Sequence, residues 1–266
     1  KKDISEINEI TIEANPGEAP KSRLSEYRDL GINRISFGFQ SLNNSLLKFL
    51  DRLHSKDDCI VAFNDARDVG FENINTDMIF NIPNQSTDVL EDNLNAVLDL
   101  APEHISCYSL TVEKGTKLHH SVQSGSVKMP DETLDIEMYK KTTEKLKGNG
   151  FIQYEVSNYS KEGKECSHNL HYWNLDPYLA FGPSAHGFDG QKRWWNYRSL
   201  EKYISEIKEN RSPIQNHEEL TARDKYNEMV MNGLRTVKGI NLKELINLPI
   251  EANIDDVLNK WSNLII

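Results

Sequence analysis

The sequence predicts an α/β protein built on a parallel sheet. Two observations carry that prediction. Short strands rich in β-branched residues alternate with helical patterns, most of which stop at a glycine, and polar residues collect near the carboxyl ends of those strands. The first strand covers residues 9–13 (EITIE) and is closed by Asn15-Pro16-Gly17. The helix after it, 20–30, puts Leu24, Tyr27 and Leu30 on one stripe and stops at Gly31. A second strand, 34–39, leads into Leu46, Leu47 and Leu50. A helix over 57–69 then stops at Gly70. The third strand, 73–80, precedes a helix over 89–100 that ends before Pro102, and the fourth strand spans 105–111.

A doubly wound sheet and a (β/α) barrel both fit this alternation. The dinucleotide fingerprint GxGxxG, expected after the first strand of a Rossmann sheet, is missing. Glu13, Gln40, Asp77 and Thr111 fall at or near the ends of the four strands, where whole or partial barrels assemble their sites. Any one of them alone also reads as an ordinary turn or cap residue.

Past Thr111 the grammar changes. A loop or short helix over 112–130 is followed by a long helix, 131–147, carrying Leu134, Met138, Tyr139 and Leu146. A strand over 153–157, a turn region around Gly182 and Gly187, and a strand over 193–197 come next. Helical patterns over 200–210, 221–235 and 242–246 close the chain. The expected division lies near Lys114, with a barrel-like part over 1–114 and a mixed α/β part over 115–266.

Composition narrows the function. Among 266 residues, 38% are hydrophobic and 27% charged, and the net charge is −10. An acidic surface repels nucleic acid and anionic membranes, so neither is expected as a partner. No apolar run reaches the roughly 18–20 residues of a membrane span, and the first residues lack the apolar core of a signal peptide. Cys59, Cys107 and Cys166 are too few and too scattered for a disulfide framework, which points to a reducing cytoplasm. The chain opens on KKDISEINEI without Met and closes on an apolar Leu-Ile-Ile, so both ends read as cut and the expectation is a segment of a longer protein.

The stretch ECSHNLHYWN, 165–174, concentrates a thiol, two imidazoles, a phenol and an indole. On an extended strand Cys166 and His168 would share a face. Zinc needs three or four ligands, yet no CxxC or HxxxH accompanies the pair, and acyl transfer would need an oxyanion hole that the pattern does not supply. Tyr172 and Trp173, with Trp194 and Trp195, suit an aromatic core or the faces of a flat cofactor; imidazole and thiolate are the usual protein ligands of heme iron. Asp77 sits in an otherwise apolar strand, where a carboxylate is costly unless it is paired or binds a polar ligand such as a ribose. Glu13, before a tight turn, suits an ammonium group or a structural pair with Arg34.

Several stretches together resemble the radical S-adenosylmethionine superfamily, and within it the oxygen-independent coproporphyrinogen III oxidase family. They are ITIEANPG (10–17), RISFGFQS (34–41), RLH (52–54), NTDMIF (75–80), PEHIS (102–106) and RWWN (193–196). The pattern HNxxYW, here His168 to Trp173, is similar to the HemW-like branch of heme chaperones. The resemblance runs from about residue 8 to about residue 240. It implies a partial (β/α)6 barrel followed by a truncated mixed α/β region. It also implies that Glu13, Gln40, Arg52 and Asp77 contact S-adenosylmethionine, with Thr111 lining the same site, and that His168, Tyr172 and Trp173 belong to a heme-related region.

The family's CxxxCxxC motif, which holds a 4Fe-4S cluster, lies upstream in these proteins and is absent here, so this segment is expected to hold no cluster. Relatives usually carry glycine where this chain has Asn81 and Asn84; asparagine tolerates the left-handed conformation. The function implied is binding of S-adenosylmethionine and heme, with delivery of heme to a recipient protein. Oxidative decarboxylation of porphyrinogen propionates, and a binding module without cofactor chemistry, are the alternatives.

Overall fold

The computed structural model describes residues 7–249. The first six residues and the closing apolar run, on which the reading of cut ends rests, lie outside the described residues. The chain divides into two compact units, Lys1–His168 and Asn169–Ile266. The change of grammar near Lys114 marks the end of the parallel strands; the first sheet itself continues beyond it.

In the first unit the predicted alternation is present. β1 (Thr11–Ala14), α1 (Lys21–Asp29), β2 (Arg34–Gln40), α2 (Asn44–Phe49), α3 (Lys56–Asp68), β3 (Ile74–Phe80), α4 (Thr87–Asp99) and β4 (His104–Ser109) follow one another. The helices begin where side chains satisfy their first N–H groups. Asn43 accepts from Ser45 and Leu46, and Ser55 forms a capping box with Asp58; each cap is worth about 1 kcal/mol. After α1 and α3 the chain turns through Gly31 (φ 91°) and Gly70 (φ 93°), left-handed positions that a side chain would strain.

α5 (Lys117–Gln123) and α6 (Glu132–Gly148) lead into β5 (Ile152–Gln153) and β6 (Asn158–Ser160). The single strand expected over 153–157 is therefore a tight hairpin. The backbone turns back at 154–157, with the N–H of Tyr154 donating to the carbonyl of Asn158 at 3.2 Å.

The six strands lie in the order β1-β2-β3-β4-β6-β5. β1 to β4 are parallel, and β6 is antiparallel to both β4 and β5. Alternation assigns the faces. Ile35, Phe37, Phe39, Ile74, Met78, Phe80, Ile105 and Cys107 join Leu24, Phe63, Leu94, Met138 and Leu146 of the helices in one buried cluster. The alternate positions Thr11, Glu13, Arg34, Ser36, Asn75, Asp77, His104 and Ser106 share the opposite face, by the registers Glu13↔Ser36, Ser36↔Asn75 and Asp77↔Ser106.

A doubly wound sheet carries helices on both faces. A sheet with helices on one face and a polar opposite face has the layout of a barrel wall. The described strands end at β1 on one side and β5 on the other, so the barrel is partial and β1 is an edge, as expected.

α7 (Ser167–Trp173) occupies the stretch that the strand reading had extended. β7 (His186–Phe188), β8 (Lys192–Asn196), α8 (Leu200–Lys208), β9 (Ile214–Glu219), α9 (Ala222–Gly233) and α10 (Leu242–Ile246) make up the second unit. Its antiparallel sheet runs β7-β8-β9. Gly187 is a strand residue here, not a turn: the Trp194 indole lies across it, 2.3 Å from where a Cβ would stand. β9 escapes sequence reading because IQNHEE has no apolar alternation, and all six residues are exposed. Arg193 of β8 reaches both carboxylate oxygens of Glu228 at 3.0 and 3.1 Å and so ties α9 to this sheet.

Candidate functional site

The polar face of the first sheet is a connected set of side chains. Asp77 points from the middle of β3, three residues before its end, which corrects its expected place at the strand's carboxyl end. Its two oxygens accept from Asn75 Nδ2 at 2.7 Å and from Ser36 Oγ at 3.2 Å. Burial pushes the Asp77 carboxyl above the ordinary carboxylate range; the hydrogen bonds from Asn75, Ser106 and Ser36 oppose that shift, and the charge of Glu13 adds to it. Glu13, paired with Ser36 across β1 and β2, is exposed on the same face. The guanidinium of Arg34 is buried and acts on Glu9 and His104.

At the end of β2, Gln40 takes a left-handed φ of 63° and its amide folds back over Gly38. A Cβ on Gly38 would stand 2.9 Å from Gln40 Nε2 and 3.2 Å from Asn15 Oδ1, so glycine leaves the space that both amides border. His54, buried behind them, donates from Nε2 to the carbonyl of Phe39 at 3.1 Å and fixes the strand end. Arg52 lines a hollow of ≈ 460 Å³ with Asn15, Gly17, Glu18 and His54. Thr111 stands apart from this group. It is exposed two residues past β4 and lines a second hollow of ≈ 520 Å³ with Phe49, Leu110 and Lys117; Asp51 borders both hollows.

Asn81 (φ 62°) and Asn84 (φ 67°) both adopt the left-handed conformation, so the loop after β3 keeps the glycine-type backbone with asparagine. Asn81 also donates to Ser109 at 3.3 Å, which joins the ends of β3 and β4.

The ECSHNLHYWN stretch is helical, so Cys166 and His168 do not share a strand face. Cys166 is buried, and its thiol lies 3.5 Å from Glu9 Oε1. Glu9 accepts from the N–H groups of Ser167 at 2.8 Å and His168 at 3.4 Å and thereby caps α7. Burial works to raise the Glu9 carboxyl, but these N–H groups, Arg34 and Thr11 outweigh it and hold the group below its ordinary value. The His168 side chain is exposed. In the second unit Tyr172 meets Tyr178 edge-on at 4.5 Å, and Arg235 stands 5.7 Å from the Trp173 ring.

No group of three or more His, Cys, Asp or Glu able to hold a metal ion occurs among the described residues. The three cysteines are buried and form no disulfide, and burial pushes the Cys59 thiol to about 12 and Cys107 up as well. Neither offers a ready thiolate. The described residues offer no set of thiolates able to hold a 4Fe-4S cluster.

Sequence reading missed Ser36, His104, Tyr154 and Glu9. The signal was present for the first two as alternation: Arg34 and Ser36, Asn75 and Asp77, and His104 and Ser106 each stand two apart in their strands.

The first unit is a partial (β/α) barrel wall with carboxylates and amides on one face, and the profile of the Radical SAM superfamily matches residues 1–97. The chain is a homologue of the HemW heme chaperones. It is 37% identical to the heme chaperone HemW of Bacillus subtilis over 242 residues, 91% of this chain and 64% of the relative. It is 34% identical to that of Mycobacterium tuberculosis H37Rv over 237 residues, covering 89% and 61%.

Identity to the radical S-adenosyl methionine domain-containing protein 1, mitochondrial, of Danio rerio is 33% over 269 residues, covering 98% and 61%. The chain thus spans less than two thirds of the length of these relatives. Among solved structures, coproporphyrinogen III oxidase (HemN) of Escherichia coli superposes with a TM-score of 0.71 over 96% of this chain and 58% of that one, at 19% identity, a likeness of fold. Proteins of the Radical SAM superfamily use S-adenosylmethionine and a 4Fe-4S cluster.

Proposed function

We propose that this chain forms the S-adenosylmethionine-binding wall and the heme-motif segment of a HemW-like protein that binds heme and delivers it to a recipient protein. The observation that carries the reading is the polar row Glu13, Ser36, Asn75 and Asp77 on the face of the sheet opposite the hydrophobic cluster. Holding the Asp77 carboxyl largely out of water costs free energy, which a polar ligand bound to it would offset. The division of labour follows from burial. Exposed Glu13 suits the cationic ammonium of an amino acid moiety, while Asp77, with its raised carboxyl, suits neutral hydroxyls such as those of a ribose. The Gln40 and Asn15 amides and the Arg52 hollow extend the same site, while Thr111 belongs to the neighbouring hollow that Asp51 shares.

When bound, S-adenosylmethionine supplies the radical precursor chemistry of its superfamily; no step is assigned to a cluster that has no ligands among these residues. His168, exposed on α7, offers its imidazole to heme iron, with Tyr172 and Trp173 on the same helix. Three cysteines outside any disulfide fit a reducing compartment such as the cytoplasm. Among the described residues no helix is long and apolar enough to cross a membrane.

Titration of the full-length protein with S-adenosylmethionine by calorimetry, and with heme by the Soret band, tests the reading. Saturable binding of both, lost for the first in Asp77→Ala and for the second in His168→Ala, is expected. Decarboxylation of coproporphyrinogen III by the same preparation would favour the oxidase instead. Failure to bind either ligand would leave only the module without cofactor chemistry.

A further inference from the structure

A continuous chain of hydrogen bonds runs through the first unit, from the residue before α7 to Asp77. The N–H of Cys166 donates to Tyr154 Oη at 3.4 Å. The Tyr154 hydroxyl donates to His104 Nε2 at 2.8 Å, and His104 Nδ1–H donates to Asn75 Oδ1 at 2.6 Å. Asn75 Nδ2 then serves both Asp77 Oδ1 and Ser36 Oγ at 2.7 Å.

The polarity of this chain follows from its Asn75 end. Asn75 Nδ2 donates to both Asp77 and Ser36, so the amide oxygen is the acceptor that faces His104. A neutral His104 then carries its proton on Nδ1 and accepts at Nε2 from the Tyr154 hydroxyl, which itself accepts the N–H of Cys166. Burial and the charge of Arg34 hold the imidazole well below its usual range and keep it neutral. Asn75, His104, Tyr154 and Cys166 are all buried, so bulk water does not stand in for a missing partner. Glu9 forms a second tie, from the lead into β1 to the N–H groups of Ser167 and His168.

We propose that His104 is a positioning residue shared by two ligand sites: it orients Asp77 for S-adenosylmethionine and steadies the start of the heme-motif helix, so the two ligands bind interdependently. The proposal rests on the function proposed above. A ligand that draws on the Asp77 carboxylate acts on the Asn75 amide. From there the planar His104 ring and the Tyr154 hydroxyl carry the change to the residue before α7. Such a chain of satisfied polar groups has little slack, because each buried shift strands a partner.

The test measures, in the full-length protein, the Kd of S-adenosylmethionine with and without heme and the Kd of heme with and without S-adenosylmethionine. Linkage requires the two ratios to be equal, and a coupling of about 5- to 50-fold is expected in the wild type. Tyr154→Phe removes one hydroxyl and keeps the ring. It should leave each separate affinity within about threefold and reduce the coupling to less than about twofold. His104→Asn places an amide N–H where Nδ1–H stood but offers Tyr154 no acceptor, so it should retain S-adenosylmethionine affinity while losing the coupling. His104→Phe should lose both.

Thermal melts check that each variant is folded; a variant that melts early is replaced by Tyr154→Phe, the mildest change. Coupling that survives in folded Tyr154→Phe overturns the proposal, as does a wild type that binds both ligands independently. A wild type that binds neither overturns the heme-chaperone reading itself, a separate outcome.

Discussion

Asn75→Ala should be the most damaging single polar substitution in the first unit. The amide is buried and makes four contacts: to Asp77 and Ser36 at 2.7 Å, from His104 at 2.6 Å and from Ser106 at 3.3 Å. Alanine leaves two buried groups without these partners, the Nδ1–H of His104 and one oxygen of Asp77. Each orphan costs about 1–3 kcal/mol, so the expected loss is about 4 kcal/mol. Against a typical total of about 5–15 kcal/mol this is close to unfolding the unit.

The four tryptophans, Trp173, Trp194, Trp195 and Trp261, all lie beyond His168, so far-UV circular dichroism is the suitable probe of the first unit. With a urea slope of about 2.5 kcal/mol/M the midpoint should fall by about 1.5 M. Asn75→Asp retains an acceptor for His104 and should lose less at low pH than at neutral pH, where it sets a second carboxylate beside Asp77. A midpoint shift below about 0.4 M for Asn75→Ala, equivalent to about 1 kcal/mol, would refute the reasoning. It would mean that His104 and Asp77 find other partners readily.

Asp77→Asn should lower S-adenosylmethionine affinity by at least about tenfold while leaving the fold intact. Because burial raises the folded carboxyl above its ordinary 3.8, its contribution to stability is full below that value and is lost as pH rises through the folded pKa. Urea midpoints of the wild type should decline over that window, and the decline should vanish in Asp77→Asn. Gly38→Ala should cost only about 1 kcal/mol in a melt, because Gln40 and Asn15 can move, yet calorimetry should show weakened S-adenosylmethionine binding as the space they border fills. Asn84, exposed with φ 67°, should tolerate glycine with a gain of several tenths of a kcal/mol and lose about 1 kcal/mol as alanine, read from thermal melts.

Much of the fold was legible in the chain because its information is local. Period-two runs of β-branched residues, Gly31 and Gly70 after helices, and Ser or Asn caps act within a few residues of where they stand. They specified β1 to β4 and the helices α1, α3 and α4 to within about two residues at each end, while α2 showed only as a run of leucines. The hairpin of β5 and β6 and the exposed strand β9 were not legible. Their pairing depends on partners far along the chain, and IQNHEE carries no alternation of its own. α7 shows the same limit: Ser167–Trp173 has aromatic and polar residues compatible with either state, and Glu9, more than 150 residues earlier, accepts from the first N–H groups of the helix.

The site divides along the same line. Glu13, Gln40 and Asp77 could be singled out because charged and amide groups near strand ends are visible one at a time, and Arg52 because the family resemblance implies it. That Asp77 is held by Ser36 and Asn75, that His104 stands between Asn75 and Tyr154, and that Thr111 lines a separate hollow were decided only by the tertiary structure. The sequence shows which groups could donate or accept. Parallel strands some thirty to forty residues apart bring those groups within bonding distance, and a hydrogen bond falls off too steeply with distance for anything but the assembled register to say which ones meet.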